Sequence, residues 1–128
     1  GTPDIVATIL RKIDEAAVFV GDVTPIAVSE SGKACANPNV LLEMGYANRA
    51  LTEHRVIHIW NTAFEGATLE KLPFDMRGRR GPIAFHLRVG ADAAELRRVR
   101  GELAKQLAPR ARSRLDDTSI SQSSSRRR

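Results

Sequence analysis

The chain has 128 residues, enough for one domain, and 42% of them are apolar, an ordinary share for a globular core. Its single cysteine, Cys35, excludes an intrachain disulfide and a zinc site built from several cysteines. The net charge of +5 is unevenly placed, since residues 1–108 hold 14 basic and 13 acidic side chains. Those residues show no interleaving of basic and aromatic side chains, so their composition gives no case for specific nucleic-acid binding.

Residues 109–128 differ in composition from the rest. They contain six arginines, two aspartates and many serines, with only Leu115 and Ile120 available for burial. We predict a disordered tail here, because so little apolar surface cannot offset the entropy of ordering. A basic tail can touch nucleic acid or an anionic membrane, or simply be solvated. The chain has no apolar run of about 18–20 residues and no signal peptide, so we expect a cytoplasmic protein without a membrane partner.

Hydrophobic periodicity predicts three helices and three strands. Apolar residues three and four positions apart indicate amphipathic helices, and short runs rich in β-branched residues indicate buried strands. In chain order we predict a helix over 3–15, a strand over 16–24, a helix over 39–51, strands over 55–60 and 82–87, and a helix over about 91–108. Loops are predicted over 25–36 and 61–81. Asn37 is the predicted N-cap of the central helix, and Pro38 fits its first turn.

This order of elements predicts an α/β fold in three layers, with a mostly parallel sheet and helices on both faces. The domain would span residues 1–108 and the tail 109–128. Three strands are few for this architecture, and the chain opens on a helix with no strand before it. We therefore expect that N-terminal strands of the fold lie outside this sequence. The strand at 16–24 would then have an open edge.

Glu43 is the first candidate for a functional side chain. It is the only formally charged residue between Lys33 and Arg49, on a helix that is apolar on nearly every side. Burying a carboxylate there costs several kcal/mol unless it is paired or opens into a pocket. In a pocket it would be a candidate acid, base or cation stabiliser. The alternative is a partly exposed Glu favoured by the helix dipole.

Three polar residues near the same place are candidate ligand-binding groups. Asp22 ends the first predicted strand, and open α/β sheets bind ligands outside the carboxyl ends of their strands. It could hold a sugar hydroxyl or cap the turn that follows. Asn37 is either only the N-cap or part of a phosphate seat at the helix start. Asn39 lies four residues before Glu43 on the same face and could bind the carboxylate or a ligand.

The remaining polar and aromatic residues give weaker signals. The three histidines, His54, His58 and His86, lack metal-ligand spacing, so we expect no metal site. Tyr46 and Trp60 are expected in the core. A loop with three arginines could meet a phosphate or be solvated: Arg77, Arg79 and Arg80.

Residues 3–88 resemble bacterial TIR-like nucleotide-binding domains. The resemblance rests on the segments PDIVATILRKIDEAAVFVGDVTP, NPNVLLEMGYANRAL, RVIHIWNTAF and LPFDMRGRRGPIAFHL. Its most specific part is NPNVLLEMGYA, similar to the family's helix with Asn-Val, two residues, then Glu-Leu-Gly. Met44 stands here in the usual place of the Leu. Such domains have a flavodoxin-like sheet, and many cleave NAD at the nicotinamide-ribose bond in bacterial defence or signalling.

The resemblance implies roles for particular residues. The family's catalytic glutamate falls on Glu43 and its preceding asparagine on Asn39, while Asp22 and Asn39 would orient ribose hydroxyls. NAD would be a substrate, with no separate cofactor. Nucleoside 2-deoxyribosyltransferases look similar over the same stretch, and their Glu is a nucleophile on the sugar. TIR-like domains also act as non-catalytic assembly modules, which implies a homo-oligomer as a further expectation.

Overall fold

The computed structural model describes residues 4–72 and 81–125. Within them the chain forms three α-helices, five strands and two short 3-10 turns. In order these are α1 (Ile5–Glu15), β1 (Phe19–Asp22), β2 (Pro25–Val28), β3 (Ala34–Ala36), α2 (Pro38–Leu51), a turn at Glu53–Arg55, β4 (Val56–Asn61), a turn at Leu69–Lys71, β5 (Ile83–Phe85) and α3 (Ala93–Ser125). Each of the six predicted elements is present, with different ends.

The three predicted strands form one parallel sheet in the order β1-β4-β5. Phe19 pairs with Val56, and Ile59 pairs with Ile83. Helices flank the sheet, so the chain has an α/β architecture consistent with a flavodoxin-like fold. The predicted fold class is confirmed. β4 lies in the centre and is covered on both faces, and four of the six residues in its sequence VIHIWN are apolar.

The two helices before β4 begin where their sequences provide a cap. The Asp4 side chain accepts hydrogen bonds from the backbone N–H groups of Val6 and Ala7, which starts α1. The Asn37 side chain accepts from the Asn39 N–H at 2.9 Å, and Pro38 occupies the first helical position of α2. These caps satisfy donors that have no partner within the helix.

The main core lies between one face of the sheet and the helices α1 and α2. Alternation along β4 places Val56, His58 and Trp60 on this face. The buried members of the core are Ile13, Val23, Met44, Ala47, Leu51, Val56, Trp60 and Leu72. From α2, the fully buried residues of this core are Met44, Ala47 and Leu51. The other sides of α2 can therefore contact α1 or solvent.

The opposite face of the sheet packs against α3. Ile57 alternates with the core residues of β4, and Ile83, which pairs with Ile59, lies on the same face as Ile57; both are buried. Val99 of α3 is buried as well, and α3 contacts β5. The chain is therefore layered as helices, sheet and helix, as the sequence predicts.

The predicted loop over 25–36 is wrong, because this segment is a β-hairpin. β2 and β3 pair antiparallel, with Pro25 opposite Ala36 and Val28 opposite Ala34. Gly32 takes a positive φ of 81° in the turn, where the Gly32 N–H donates to Ser29 O. Strands of four and three residues with a proline at the start give little periodicity, so sequence reasoning missed them.

α3 continues through residues 109–125, where the sequence predicts a disordered tail. Its 33 residues include Pro109, which cannot donate a hydrogen bond to the preceding turn. Extending a formed helix needs no new nucleus, and Ala111 and the arginines that follow Pro109 are good helix formers. The Arg110 guanidinium also donates to the Gly81 carbonyl oxygen at 2.7 Å, which attaches this part of α3 to the segment before β5. Residues 126–128 lie outside the described part.

β1 is an edge strand. Over the described residues no strand pairs with its outer edge, and 40% of the surface of Val20 is exposed. Of the described helices, none is both long and apolar enough to cross a membrane.

Candidate functional site between α1 and α2

A groove of about 140 Å³ opens between α1 and α2. Most of its walls are aliphatic, and its polar side chains are Asn39 and Glu43. The lining residues are Ile5, Val6, Ile9 and Leu10 from α1, with Asn39, Leu42 and Glu43 from α2. Small-molecule sites are usually apolar with few polar groups and have volumes of about 300–1,000 Å³, so this groove has room for one part of a nucleotide.

The groove lies near the carboxyl end of β1. Pro25 and Ala36 are paired at the base of the hairpin, so the chain that leaves β1 and the chain that enters α2 are neighbours. The first turn of α2 therefore begins beside the end of β1. α1 runs parallel to α2, because its first turn shares the groove with Asn39 while Asp14, near its end, contacts Tyr46. This is the edge of the sheet where the sequence predicts a ligand.

Glu43 is half-buried in the groove, and its carboxylate has no hydrogen bond or ion pair with any described residue. Leu42 beside it is 60% exposed, and Ile5 across the groove is 70% exposed. Asn39 stands one helical turn before Glu43 on the same wall. The structure thus brings together two of the four predicted site residues, and their side-chain polar atoms have no hydrogen-bond partner among the described residues.

Asp22 is placed differently. Its Oδ1 accepts hydrogen bonds from the backbone N–H and the hydroxyl of Thr24, and it does not line the groove. The Thr24 hydroxyl oxygen accepts in turn from the Asn61 N–H at 2.8 Å. Of the two interpretations of Asp22, the turn cap is observed. Asn37 likewise is the N-cap of α2 and lies outside the groove lining.

Asn61 is a polar residue that sequence reasoning missed. It is buried at the end of β4 and is only 6% exposed. Its side chain donates to the Leu87 carbonyl oxygen at 2.7 Å and accepts from the N–H groups of Leu87 and Ala63. Asn61 therefore holds the chain after β5 against the end of β4. An asparagine that ends an apolar strand was the signal in the sequence.

Two further polar residues, Thr62 and His86, lie next to Asn61 at the carboxyl ends of β4 and β5. The Thr62 hydroxyl lies 3.0 Å from His86 Nδ1 and 3.2 Å from the Phe85 carbonyl oxygen. These residues hold the ends of β4 and β5 together beside the loop at Asp22. No three metal ligands cluster anywhere in the part of the chain that the structure describes.

Tyr46 joins the two helices that form the groove. Its hydroxyl donates to the Asp14 carboxylate, with distances of 2.8 and 2.9 Å to the two oxygens. The ring also packs against the main core, as the sequence predicts. The hydrogen bond to Asp14 raises the pKa of Tyr46, and desolvation and the charge of Asp14 act in the same direction. The pair lies one turn beyond the groove on each helix and so fixes the spacing of its walls.

His58 is the one histidine on the core face of the sheet among the described residues. Its Nε2 atom is buried and has no hydrogen-bond partner in the described structure. Burial lowers the pKa of His58, because the charged imidazolium is disfavoured there. The other two histidines, His54 and His86, are exposed. The basic loop of Arg77, Arg79 and Arg80 lies outside the described residues.

The fold and the site define an α/β domain with a free carboxylate in a groove between two helices. In comparisons of the chain with protein families, curated proteins and solved structures, none matched it. A function for this chain is therefore inferred from the residues of the groove and from the resemblance of the NPNVLLEMGYA helix.

Proposed function

We propose that this chain is a TIR-like nucleotide-binding domain that cleaves the N-glycosidic bond of NAD, with Glu43 as the catalytic residue. The observation that carries the proposal is the half-buried carboxylate of Glu43, which has no partner among the described residues and lines the groove between α1 and α2. Every other carboxylate named in the site, Asp22 and Asp14, already accepts hydrogen bonds from protein donors.

The groove combines apolar walls with two polar side chains, which are the features that bind the base and the sugar of a nucleotide. Its aliphatic walls, among them Ile9 and Leu42, suit the flat face of a nicotinamide or another base. Asn39 offers an amide that can both donate to and accept from a ribose hydroxyl. Asp22 has one carboxylate oxygen without a partner among the described residues, so it remains a candidate for a second ribose contact at the strand end.

The proposed reaction is a hydrolysis through an oxocarbenium-like sugar. The bond between the anomeric carbon and the nicotinamide nitrogen breaks, and the electron pair leaves with the nicotinamide, which becomes neutral. The Glu43 carboxylate stabilises the positive charge that develops on the sugar. Water then adds to the anomeric carbon and loses one proton to the solvent. Nicotinamide and ADP-ribose are the products.

Replacing Glu43 tests this role. We expect Glu43→Ala and Glu43→Gln to lower nicotinamide release by a factor of about 100 or more, since one well-placed electrostatic group contributes roughly 3–4 kcal/mol to the transition state. The measurement is nicotinamide release from NAD by the protein that contains this chain. Glu30→Gln is the matched control, because Glu30 is exposed in the hairpin and distant in sequence from the groove.

Two other results of the activity assays would each indicate a different function. Exchange of bases on deoxynucleosides, with no effect on NAD, would identify a 2-deoxyribosyltransferase in which Glu43 attacks the sugar. A second candidate, the non-catalytic assembly module, is favoured by the five aliphatic side chains among the groove residues. In that case neither reaction would occur, and Glu43→Gln would alter only stability or self-association.

A further inference from the structure

α3 carries a surplus of positive charge that its own acidic residues do not neutralise. Between Ala93 and Arg112 the helix has two acidic side chains, and each is already paired with an arginine. Glu95 binds Arg88 at 3.0 Å, and Glu102 binds Arg98 at 3.1 Å. Arg110 donates to the Gly81 carbonyl oxygen. The exposed cations left without an ion pair among the described residues are Arg97, Arg100, Lys105 and Arg112.

These four residues, which we call the α3 basic stripe, lie along the solvent side of the helix. With 100° per residue, Arg97, Lys105 and Arg112 fall within a sector of about 80°, opposite the buried Val99. Arg100 flanks this sector and is exposed too. From Arg97 to Arg112 the stripe is about 22 Å long. Successive members of the sector are therefore roughly 11 Å apart, close to the major-groove width of about 12 Å in a DNA duplex.

The composition of the stripe distinguishes among polyanions. A helix that binds a membrane surface needs large apolar side chains beside its cations. In α3, Val99 is buried against the sheet, and the exposed large apolar side chains are Leu96 and Leu115, which are too few to form such a face. Binding of single strands relies on aromatic side chains that stack on bases, and α3 contains none. Phosphate contacts alone are what this surface offers, and they suit a duplex without sequence preference.

We propose that the α3 basic stripe binds the phosphate backbone of a nucleic-acid duplex without reading its sequence. This goes beyond the proposed hydrolysis of NAD and does not depend on it. The residues concerned lie on the face of the sheet opposite the groove, so both sites can be occupied together. Duplex DNA and duplex RNA offer the same phosphate chemistry, and both belong in the test.

The test is fluorescence anisotropy of labelled 24-base-pair DNA and RNA duplexes of arbitrary sequence, titrated with the full chain at several salt concentrations. Four phosphate contacts predict that log K falls against log salt with a slope of about −3.6 for DNA, or an affinity loss of about 150-fold between 50 and 200 mM salt. The variant Arg97→Gln, Arg100→Gln, Lys105→Gln, Arg112→Gln should weaken binding and reduce the slope by about one unit for each cation removed.

A second variant with the same loss of charge serves as the control. It replaces four exposed cations outside α3 with glutamine: Lys12, Lys33, Arg49 and Lys71. Circular dichroism checks that both variants fold. Equal weakening by the two variants would show a mere effect of net charge and overturn the proposal. It would also be overturned by tighter binding to single strands, or to vesicles of anionic phospholipid, than to either duplex. Binding to one duplex type or both, lost only with the stripe, supports it.

Discussion

Asp22 and Glu43 illustrate how similar side chains serve different purposes in this protein. Asp22 accepts two hydrogen bonds from Thr24 and so organises the turn after β1. Glu43 accepts none from the described residues, although it is half-buried. A carboxylate that lines a groove without a partner among the described residues is free to bind a ligand, and a few such polar groups in an apolar pocket are typical of binding sites. For this reason Glu43, and not Asp22, is the residue on which the proposed chemistry depends.

His58 gives the protein a predictable dependence on pH. Burial lowers the pKa of His58 below its unfolded value of 6.5, so the unfolded chain takes up a proton first as the pH falls. Its contribution to the free energy of unfolding is fully present above about pH 6.5 and is lost as the pH falls through that value towards the lower folded pKa. Urea unfolding followed by the fluorescence of Trp60, between pH 7.5 and 5.5, measures this loss.

Two histidine variants separate His58 from the other titrating groups. His58→Phe should remove the part of the pH dependence that His58 causes, whatever its effect on the absolute stability. His54→Gln is the control, because it removes an exposed imidazole outside the core and leaves His58 in place. An unchanged pH profile in His58→Phe would contradict the prediction.

At the scale of elements, α1 and α2 form one unit that the sequence indicates only in part. Their periodicity predicts both helices, and their caps at Asp4 and Asn37 fix where they start. That the two helices lie in parallel follows from the tertiary structure, where Tyr46 reaches Asp14 across 32 positions of sequence. The groove exists because α1 and α2 pack side by side, since each helix forms one of its walls.

The titration of Tyr46 tests the contact between α1 and α2. Tyr46 is the only tyrosine of the chain, so the ultraviolet absorbance of tyrosinate reports on it alone. We expect its pKa to lie above the usual value of about 10, because the hydrogen bond to Asp14 holds the proton. Asp14→Asn removes the negative charge and should return the pKa towards 10.

Glu15→Gln is the control for Asp14→Asn. Glu15 is the next residue of α1 and pairs with Arg11 instead of Tyr46. Its replacement removes an equal charge, and the pKa of Tyr46 should stay raised. A wild-type tyrosine that titrates at about 10 would mean that the two helices are not joined by this bond in solution.

At the scale of the whole molecule, the described chain exposes several large apolar side chains, one of them on the open edge of the sheet. Val20 on the edge strand β1 is exposed, as are Ile5, Val6 and Leu42 on the helices. Unpaired strand edges favour pairing with another strand, and large exposed apolar patches favour association. We therefore expect the chain to self-associate as its concentration rises, measured by sedimentation velocity.

Lysine at the edge should suppress this association. Val20→Lys places a charge on β1, a common means of blocking edge-to-edge pairing. Val89→Lys is the matched control, since Val89 is 88% exposed in the loop between β5 and α3. If the chain stays monomeric at all concentrations, or if both lysines act alike, the edge of β1 is not where association occurs.

The sequence by itself determined the order of helices and strands, the parallel sheet and the cap at Asn37. Each of these depends on local periodicity or on residues a few positions apart. The sequence also singled out Glu43, because a lone charge on an apolar helix is visible without a structure. Only the tertiary structure decided that Glu43 and Asn39 share a groove with α1, while Asp22 caps the turn at Thr24 and lies outside the groove lining.

The difference between local sequence features and tertiary contacts also explains which elements could not be predicted from the sequence. The hairpin at Pro25–Val28 and Ala34–Ala36 has strands too short for a periodic signal, and pairing between them is what stabilises each. The extension of α3 past residue 108 adds to a helix already formed and is held by the bond from Arg110 to Gly81. Sequence determines features that depend on neighbouring residues, whereas contacts between distant segments require the packed fold.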